Sequence, residues 1–277
     1  MSVFRSEESA AKISQFVEMR YEQSGLARRV VKTSFGPTHL LEAGRETAPV
    51  VILLHGSSSN GMAWLGDIAL LSAQFRVIVP DMPGEPGLSV DRRLSFARGE
   101  PQDWLAEVMA TCEVHRAALV GNSLGGWLAL HFAARNSERV SALALIAPSG
   151  LCPPRAGFLF KAMFWMLFGA FGIDRINKLV FGDVAIPKDV TLFSHLVARG
   201  FKPMMEALPL LGDEDLEQIK KLPTLYIAGL HDALLNSELS AKRLEGQAVI
   251  DVRPDQGHVI MDAGRQVEEF LLGALIK

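Results

Sequence analysis

The sequence predicts an α/β fold: a mostly parallel central sheet, helices on both faces, and a helical insertion. Three observations predict it. Short, continuous apolar runs recur along the 277 residues, helix-like stretches separate them, and one interval, 151–221, breaks the alternation.

Residues 6–24 come first, with Ile13, Phe16, Val17 and Tyr21 at helical spacing. Two strand-like stretches follow, 27–33 and 38–43, set apart by the turn-forming pair Gly36-Pro37. The run 50–54 (VVILL) is apolar throughout, as a strand must be when both faces of a parallel sheet are covered. The same kind of run recurs at 75–80, 117–121, 142–147, 224–228 and 248–252. Helix-like stretches at 64–73, 102–112, 124–136, 237–244 and 266–275 fall between or after these runs. Alternation of this kind produces a mainly parallel sheet, because each crossover needs a helix to return the chain. Between 151 and 221 there is only helix-like sequence punctuated by Pro and Gly. The expected organisation is therefore an α/β core at 1–150 and 222–277, with a helical cap or lid at 151–221.

Composition narrows the function. Hydrophobic residues make up 49% and charged residues 21%, which suits one well-packed domain rather than a disordered chain. A net charge of −3 with no basic tract gives no electrostatic footprint for a nucleic-acid partner. The two cysteines, Cys112 and Cys152, form no CxxC pair and no Cys/His cluster, so neither a disulfide framework nor a metal site is expected. The opening residues, Met1 to Glu8, lack the basic start and apolar core of a secretory leader, and the expected compartment is the cytoplasm. The stretch 157–173 (GFLFKAMFWMLFGAFGI) is slightly short for a membrane span and contains Lys161. It reads as a buried or lid helix, so membrane association is not expected; a monomer or a homodimer using this face is.

In an open parallel sheet, functional groups gather beyond the carboxyl ends of the strands. Following 117–121 comes Gly121-Asn122-Ser123-Leu124-Gly125, a G-x-S-x-G pattern between an apolar strand and a helix. Such a tight turn forces the serine into strained geometry that lifts its hydroxyl above the sheet, and glycine on either side avoids collision. Ser123 is the candidate nucleophile. It needs a base, and among seven histidines His258 lies past the last strand, at the same rim. His39, His115, His131 and His195 fall within elements or surface turns, and His55 is expected to brace its loop. Asp232, in Gly229-Leu230-His231-Asp232, is the candidate carboxylate that would orient His258; Glu238, Asp251 and Asp255 compete for the role. An oxyanion needs backbone donors. Leu124 offers one, and the loop after 50–54 offers Ser57 as first choice and Ser58 as second.

Taken together, His55-Gly56-Ser57, Asp81-Met82-Pro83-Gly84, Gly87-Leu88-Ser89, the 121–125 turn, Gly229-Leu230-His231-Asp232 and Gly257-His258 resemble the α/β-hydrolase superfamily. The Phe35–His39 segment and the Gly84-Glu85-Pro86-Gly87 loop look like those of small bacterial serine carboxylesterases. That resemblance implies the α/β-hydrolase fold, a catalytic triad of Ser123, Asp232 and His258, oxyanion donors at Ser57 and Leu124, no cofactor, and a small-molecule ester as substrate. It departs near the Gly84–Gly87 loop, where many relatives carry a histidine or arginine. The same triad would also serve a C–C hydrolase, thioesterase, amidase or perhydrolase, or persist in a slow-turnover receptor or regulator. Phe158, Phe160, Met163, Phe164, Trp165, Phe168 and Phe171 are expected to line an adaptable apolar pocket or to pack the lid onto the core.

Overall fold

The strands β1 (Ala27–Thr33), β2 (Gly36–Ala43), β3 (Val50–Leu54), β4 (Arg76–Pro80), β5 (Ala117–Asn122), β6 (Val140–Ile146), β7 (Thr224–Gly229) and β8 (Val249–Arg253) form one sheet. Their order is β1-β2-β4-β3-β5-β6-β7-β8. The structure is a computed structural model and describes residues 2–182 and 184–276. β2 pairs antiparallel with β1 and β4, and all other neighbours are parallel. The apolar runs are thus the parallel strands, as the sequence predicts. The β1–β2 turn lies earlier than expected, at Ser34-Phe35, because Gly36 already pairs with Thr33 and Pro37 with Lys32. Pro37 still serves as an acceptor: its carbonyl takes the N–H of Val90, in the loop after β4, at 2.9 Å.

Alternation along the strands divides the core into two layers, because successive side chains leave opposite faces of a strand. Ile52, Leu54, Leu119, Leu143 and Leu145 face one layer, with α3 (Glu100–Thr111) and α4 (Leu124–Arg135). Val51, Leu53, Val120, Ala144 and Ile227 face the other, with α1 (Glu7–Ser24), α2 (Leu65–Leu71) and α10 (Gly264–Leu275). Helix α9 (Ser237–Arg243) joins β7 to β8.

Helix α1 begins where Ser6 accepts the Ser9 N–H and ends at Gly25, which adopts the left-handed conformation (φ 66°). It buries Ile13, Val17 and Tyr21. The Tyr21 hydroxyl donates to Asp81 Oδ1 at 2.7 Å, and burial beside that carboxylate raises its pKa well above the usual phenol value. Asp81 also accepts the Gly61 and Leu88 N–H groups, each at 2.8 Å. This rim aspartate is fully committed to holding loops.

Between β6 and β7 run α5 (Ala156–Met166), α6 (Gly169–Phe181), α7 (Lys188–Gly200) and α8 (Asp213–Ile219). Helix α8 belongs to the core: it packs on α4 and buries Leu216 and Ile219. Helix α7 packs on α1, with Phe193 stacked on Phe16. The stretch 157–173 is two helices, broken at Leu167-Phe168. Gly172 permits their close approach, since a Cβ there would lie 1.7 Å from the Trp165 carbonyl oxygen. Among the described residues no helix is long and apolar enough to cross a membrane.

Candidate active site

Ser123 sits between β5 and α4 with φ 51° and ψ −107°, a backbone conformation that L-residues rarely adopt. Three backbone hydrogen bonds of 3.0 Å hold it there: its N–H donates to the Ile146 carbonyl, and its own carbonyl accepts from Trp127 and Ser149. The glycines around it answer to contacts. A Cβ on Gly121 would meet Gly125 at 2.4 Å, one on Gly125 would meet the Leu54 carbonyl oxygen at 2.0 Å, and one on Gly126 would meet Pro148 at 2.7 Å. Any side chain at these positions would push α4 off the sheet.

Asp232 and His258 come to this turn from the loops after β7 and β8, across the intervening strand β6. Gly229 ends β7, and a Cβ there would lie 2.1 Å from the Gly257 carbonyl oxygen, so its absence lets the two loops cross. The crossing is fixed by His231 N–H to Gln256 O (3.0 Å) and Leu230 N–H to Arg253 O (2.8 Å). From the other side, Val180 of α6 accepts the backbone N–H groups of His258 (3.0 Å) and Val259 (3.2 Å). The segment between β6 and β7 thus helps to hold the histidine loop.

The three side chains form one line. His258 Nε2 is 3.0 Å from Ser123 Oγ, and His258 Nδ1 is 2.7 Å from Asp232 Oδ2. Asp232 is buried, and its other oxygen, Oδ1, accepts the Leu234 and Leu235 N–H groups at 2.7 and 2.9 Å. A carboxylate only accepts, so His258 Nδ1 carries the proton of that contact and Nε2 is left to accept from the serine hydroxyl. The competing acids lie elsewhere: Glu238 is in the first turn of α9, and Asp251 pairs with Arg253 at 3.0 Å.

The loop after β3 runs beside the turn: β3 pairs with β5, Leu54 opposite Gly121, and a Cβ on Gly56 would lie 3.6 Å from that of Ser123. His55 braces this loop as expected. It is buried, its Nδ1 bonds the Gly56 carbonyl and its Nε2 accepts the Met82 N–H, each at 2.9 Å. Those roles fix a neutral tautomer, and burial holds its pKa below the usual imidazole value. The two amides considered for Ser57 and Ser58 differ. Ser58 N–H donates to Glu85 Oε2 at 2.5 Å, whereas among the described residues the Ser57 and Leu124 N–H groups have no protein acceptor. Leu124 is the first residue of α4, where helical N–H groups have no partner within the helix.

Glu85 is the residue that the sequence reading misses. It is 6% exposed, burial pushes its pKa up to about 7, and Arg93 lies 3.9 Å away. Its hydrogen bond goes to a backbone N–H, which leaves no trace in residue type, and nothing in the sequence singles out Arg93 among the arginines as its ion-pair partner. With Met82, Arg93, Leu94, Phe96 and Leu124 it lines a crevice beside the start of α4. A larger cavity of about 500 Å³ opens on the far side, lined by Arg155, Phe158, Lys161, Leu230, His231 and Asp232.

The remaining histidines stay out of the line. His39 stacks on Tyr21 in β2, and His131 packs on Trp127. His195 bonds Asp174 at 2.7 Å, and His115 lies in the loop before β5. Of the aromatic group expected to form a pocket or a packing face, Phe158 lines the larger cavity, Trp165 is half-buried, and Phe160, Met163, Phe164, Phe168 and Phe171 are exposed. Helix α5 packs chiefly on α6, and its apolar outer face stays exposed.

This arrangement has relatives. Carboxylesterase YbfK of Bacillus subtilis is 29% identical over 243 residues, covering 84% of this chain and 80% of its own. Its crystal structure, as carboxylesterase CesB, superposes with a TM-score of 0.82 at 24% identity over 97% of this chain and 99% of the other. Naproxen esterase (carboxylesterase NP), also from Bacillus subtilis, gives 0.81 at 24% over 94% and 96%. The alpha/beta hydrolase family model matches residues 51–270, from the second residue of β3 into α10. The chain therefore belongs to the alpha/beta hydrolase family.

Proposed function

We propose that the protein is a serine carboxylesterase that cleaves esters with an apolar acyl or alcohol part through an acyl-enzyme on Ser123. The hydrogen-bonded line from Asp232 through His258 to Ser123 carries this reading. Serine is a weak nucleophile at neutral pH unless a base takes its proton. Here His258 Nε2 accepts the Ser123 proton as Oγ attacks the ester carbonyl carbon, and Asp232 stabilises the imidazolium. The carbonyl oxygen becomes an oxyanion, which the Ser57 and Leu124 N–H groups receive. His258 then returns the proton to the departing alkoxide, releasing the alcohol and leaving the acyl group on Ser123. Water enters, gives a proton to His258 and attacks the acyl carbon; Ser123 leaves with that proton restored, and the acid departs.

Support also comes from the relatives, since both Bacillus subtilis proteins are carboxylesterases by name. Beside the oxyanion donors, Met82, Leu94 and Phe96 present apolar side chains to a narrow crevice of about 20 Å³, while the cavity of about 500 Å³ against Asp232 has the room an ester needs. Helices α5–α7 act as the cap and α8 as part of the core, which shortens the cap relative to 151–221. Steady-state hydrolysis of p-nitrophenyl acetate, butyrate and octanoate tests the reading. Multiple turnovers, with kcat/KM higher for butyrate or octanoate than for acetate, are expected. Absence of turnover on all three would overturn the esterase assignment, and a preference for charged esters would overturn the apolar one.

A further inference from the structure

Helix α5 is apolar except for Lys161, and an apolar helix face is favoured in water only where something covers it. Phe158, Ala162 and Trp165, at helical spacing, form its half-buried inner side. Phe160, Met163, Phe164 and Leu167, also at helical spacing, face out, with exposures of 71, 59, 54 and 80%. Met166, Phe168 and Phe171 continue the exposed surface across the break into α6. The rings are contiguous: Phe164 lies 5.2 Å from Phe168, and Trp165 lies 5.8 Å from Phe168 and 6.0 Å from Phe171. At 150–250 Å² per aromatic side chain, the exposed fractions amount to roughly 800 Å², more than the largest patch of an ordinary monomer.

Charge distinguishes the possible occupants. The charges set among these side chains are Lys161 and Arg175, against Asp174, within a protein of net charge −3. Asp174 is taken by His195 at 2.7 Å. Lys161 is exposed at the edge of the apolar face, where it also borders the cavity beside Asp232, and the Arg175 guanidinium lies 4.9 Å over the Phe171 ring and 5.8 Å over that of Trp165. A second copy related by a two-fold axis would set these cations against their own equivalents. An anionic lipid surface would instead accept the aromatic and aliphatic side chains among its acyl chains and the Lys and Arg heads among its headgroups. The two helices, 11 and 13 residues long, suit lying on a bilayer and not crossing it.

We propose that the outer face of the α5–α6 hairpin is a docking surface for an anionic lipid bilayer. The proposal stands independently of the esterase reading. Flotation with vesicles tests it, using phosphatidylcholine alone and phosphatidylcholine mixed with phosphatidylglycerol. Wild-type protein is expected to float with the mixed vesicles, to be released by added salt, and to bind phosphatidylcholine alone about tenfold less. Phe164→Glu with Leu167→Glu is expected to lower binding to the mixed vesicles by about tenfold or more while hydrolysis of a soluble ester persists. Wild-type protein that stays unbound with both vesicles overturns the proposal, whatever the variant does. So does light scattering that shows a stable dimer dissociated by the same double substitution with no vesicle binding, since a second copy would then be the occupant.

Discussion

Helices α4 and α5 are both apolar nearly all round, yet they meet water in opposite ways. In α4, Leu124, Trp127, Leu128 and Phe132 are buried, enclosed by β3, β5 and β6 on one side and by α3 and α8 on the others. In α5, Phe160, Met163, Phe164 and Leu167 are exposed, because its chief neighbour is α6. The pair teaches that apolar composition states a demand for cover, while topology decides whether the chain itself supplies it. Crossover geometry encloses α4 on several sides, whereas α5, in a segment that leaves the sheet, packs chiefly on α6.

If the contrast is right, substitutions at the α4 elbow should be severe and those on the hairpin mild. The largest effects are expected in the reacting line. Ser123→Ala and His258→Ala should each lower ester turnover by about four to six orders of magnitude, and Asp232→Asn by about four, measured as kcat. Wild-type turnover in Ser123→Ala would break the elbow's functional half outright. Next comes packing: Gly125→Ala drives a Cβ to within 2.0 Å of the Leu54 carbonyl oxygen and should cost about 2–4 kcal/mol in urea unfolding.

A third effect depends on pH. Burial raises the Glu85 pKa from 4.5 to about 7, so the folded state binds its proton more tightly than the unfolded chain does. The stabilisation this gives is complete below about pH 4.5 and is lost as pH rises through about 7, by up to about 3 kcal/mol. Glu85→Gln keeps an acceptor for Ser58 N–H and removes the titration. The loss of unfolding free energy between about pH 5 and about pH 8 should therefore be smaller in the variant than in wild type. Asp67, raised to about 6, and His131, lowered to about 4, titrate equally in both proteins and cancel in that comparison. Equal pH slopes would show that Glu85 is not the group responsible. The smallest effect is on the hairpin: Phe160→Ser, 71% exposed in wild type, should change stability by less than about 0.5 kcal/mol. A loss of several kcal/mol there would mean that the face is covered within the protein and would end the contrast.

What could be read from the sequence follows the same division. The central parallel strands were legible because VVILL at β3 and its neighbours have no polar face to show solvent, whereas the edge strand β8 carries Asp251 and Arg253. The turn at Ser123 was legible because its glycines are demanded by backbone approaching within 2.0–2.4 Å. The convergence of His258 and Asp232 followed from their places after the last two strands. The place of the β1–β2 turn was not legible, since Gly36-Pro37 favours a turn but also fits the start of a strand. Glu85 was hidden because its partner is a backbone N–H, and the exposure of α5 because buried and uncovered apolar helices share one pattern. Contacts with backbone, and the absence of a neighbour, leave no signature in residue type.

The central claim is that His258 makes the Ser123 hydroxyl a nucleophile, and a fluorophosphonate reports on that step alone. Labelling rate followed by intact mass and peptide mapping is the measurement. The expected result is one phosphonyl group per chain, on Ser123, with labelling slowed by about a thousandfold or more in His258→Ala. Label on another residue, or equal labelling rates in wild type and His258→Ala, would contradict it.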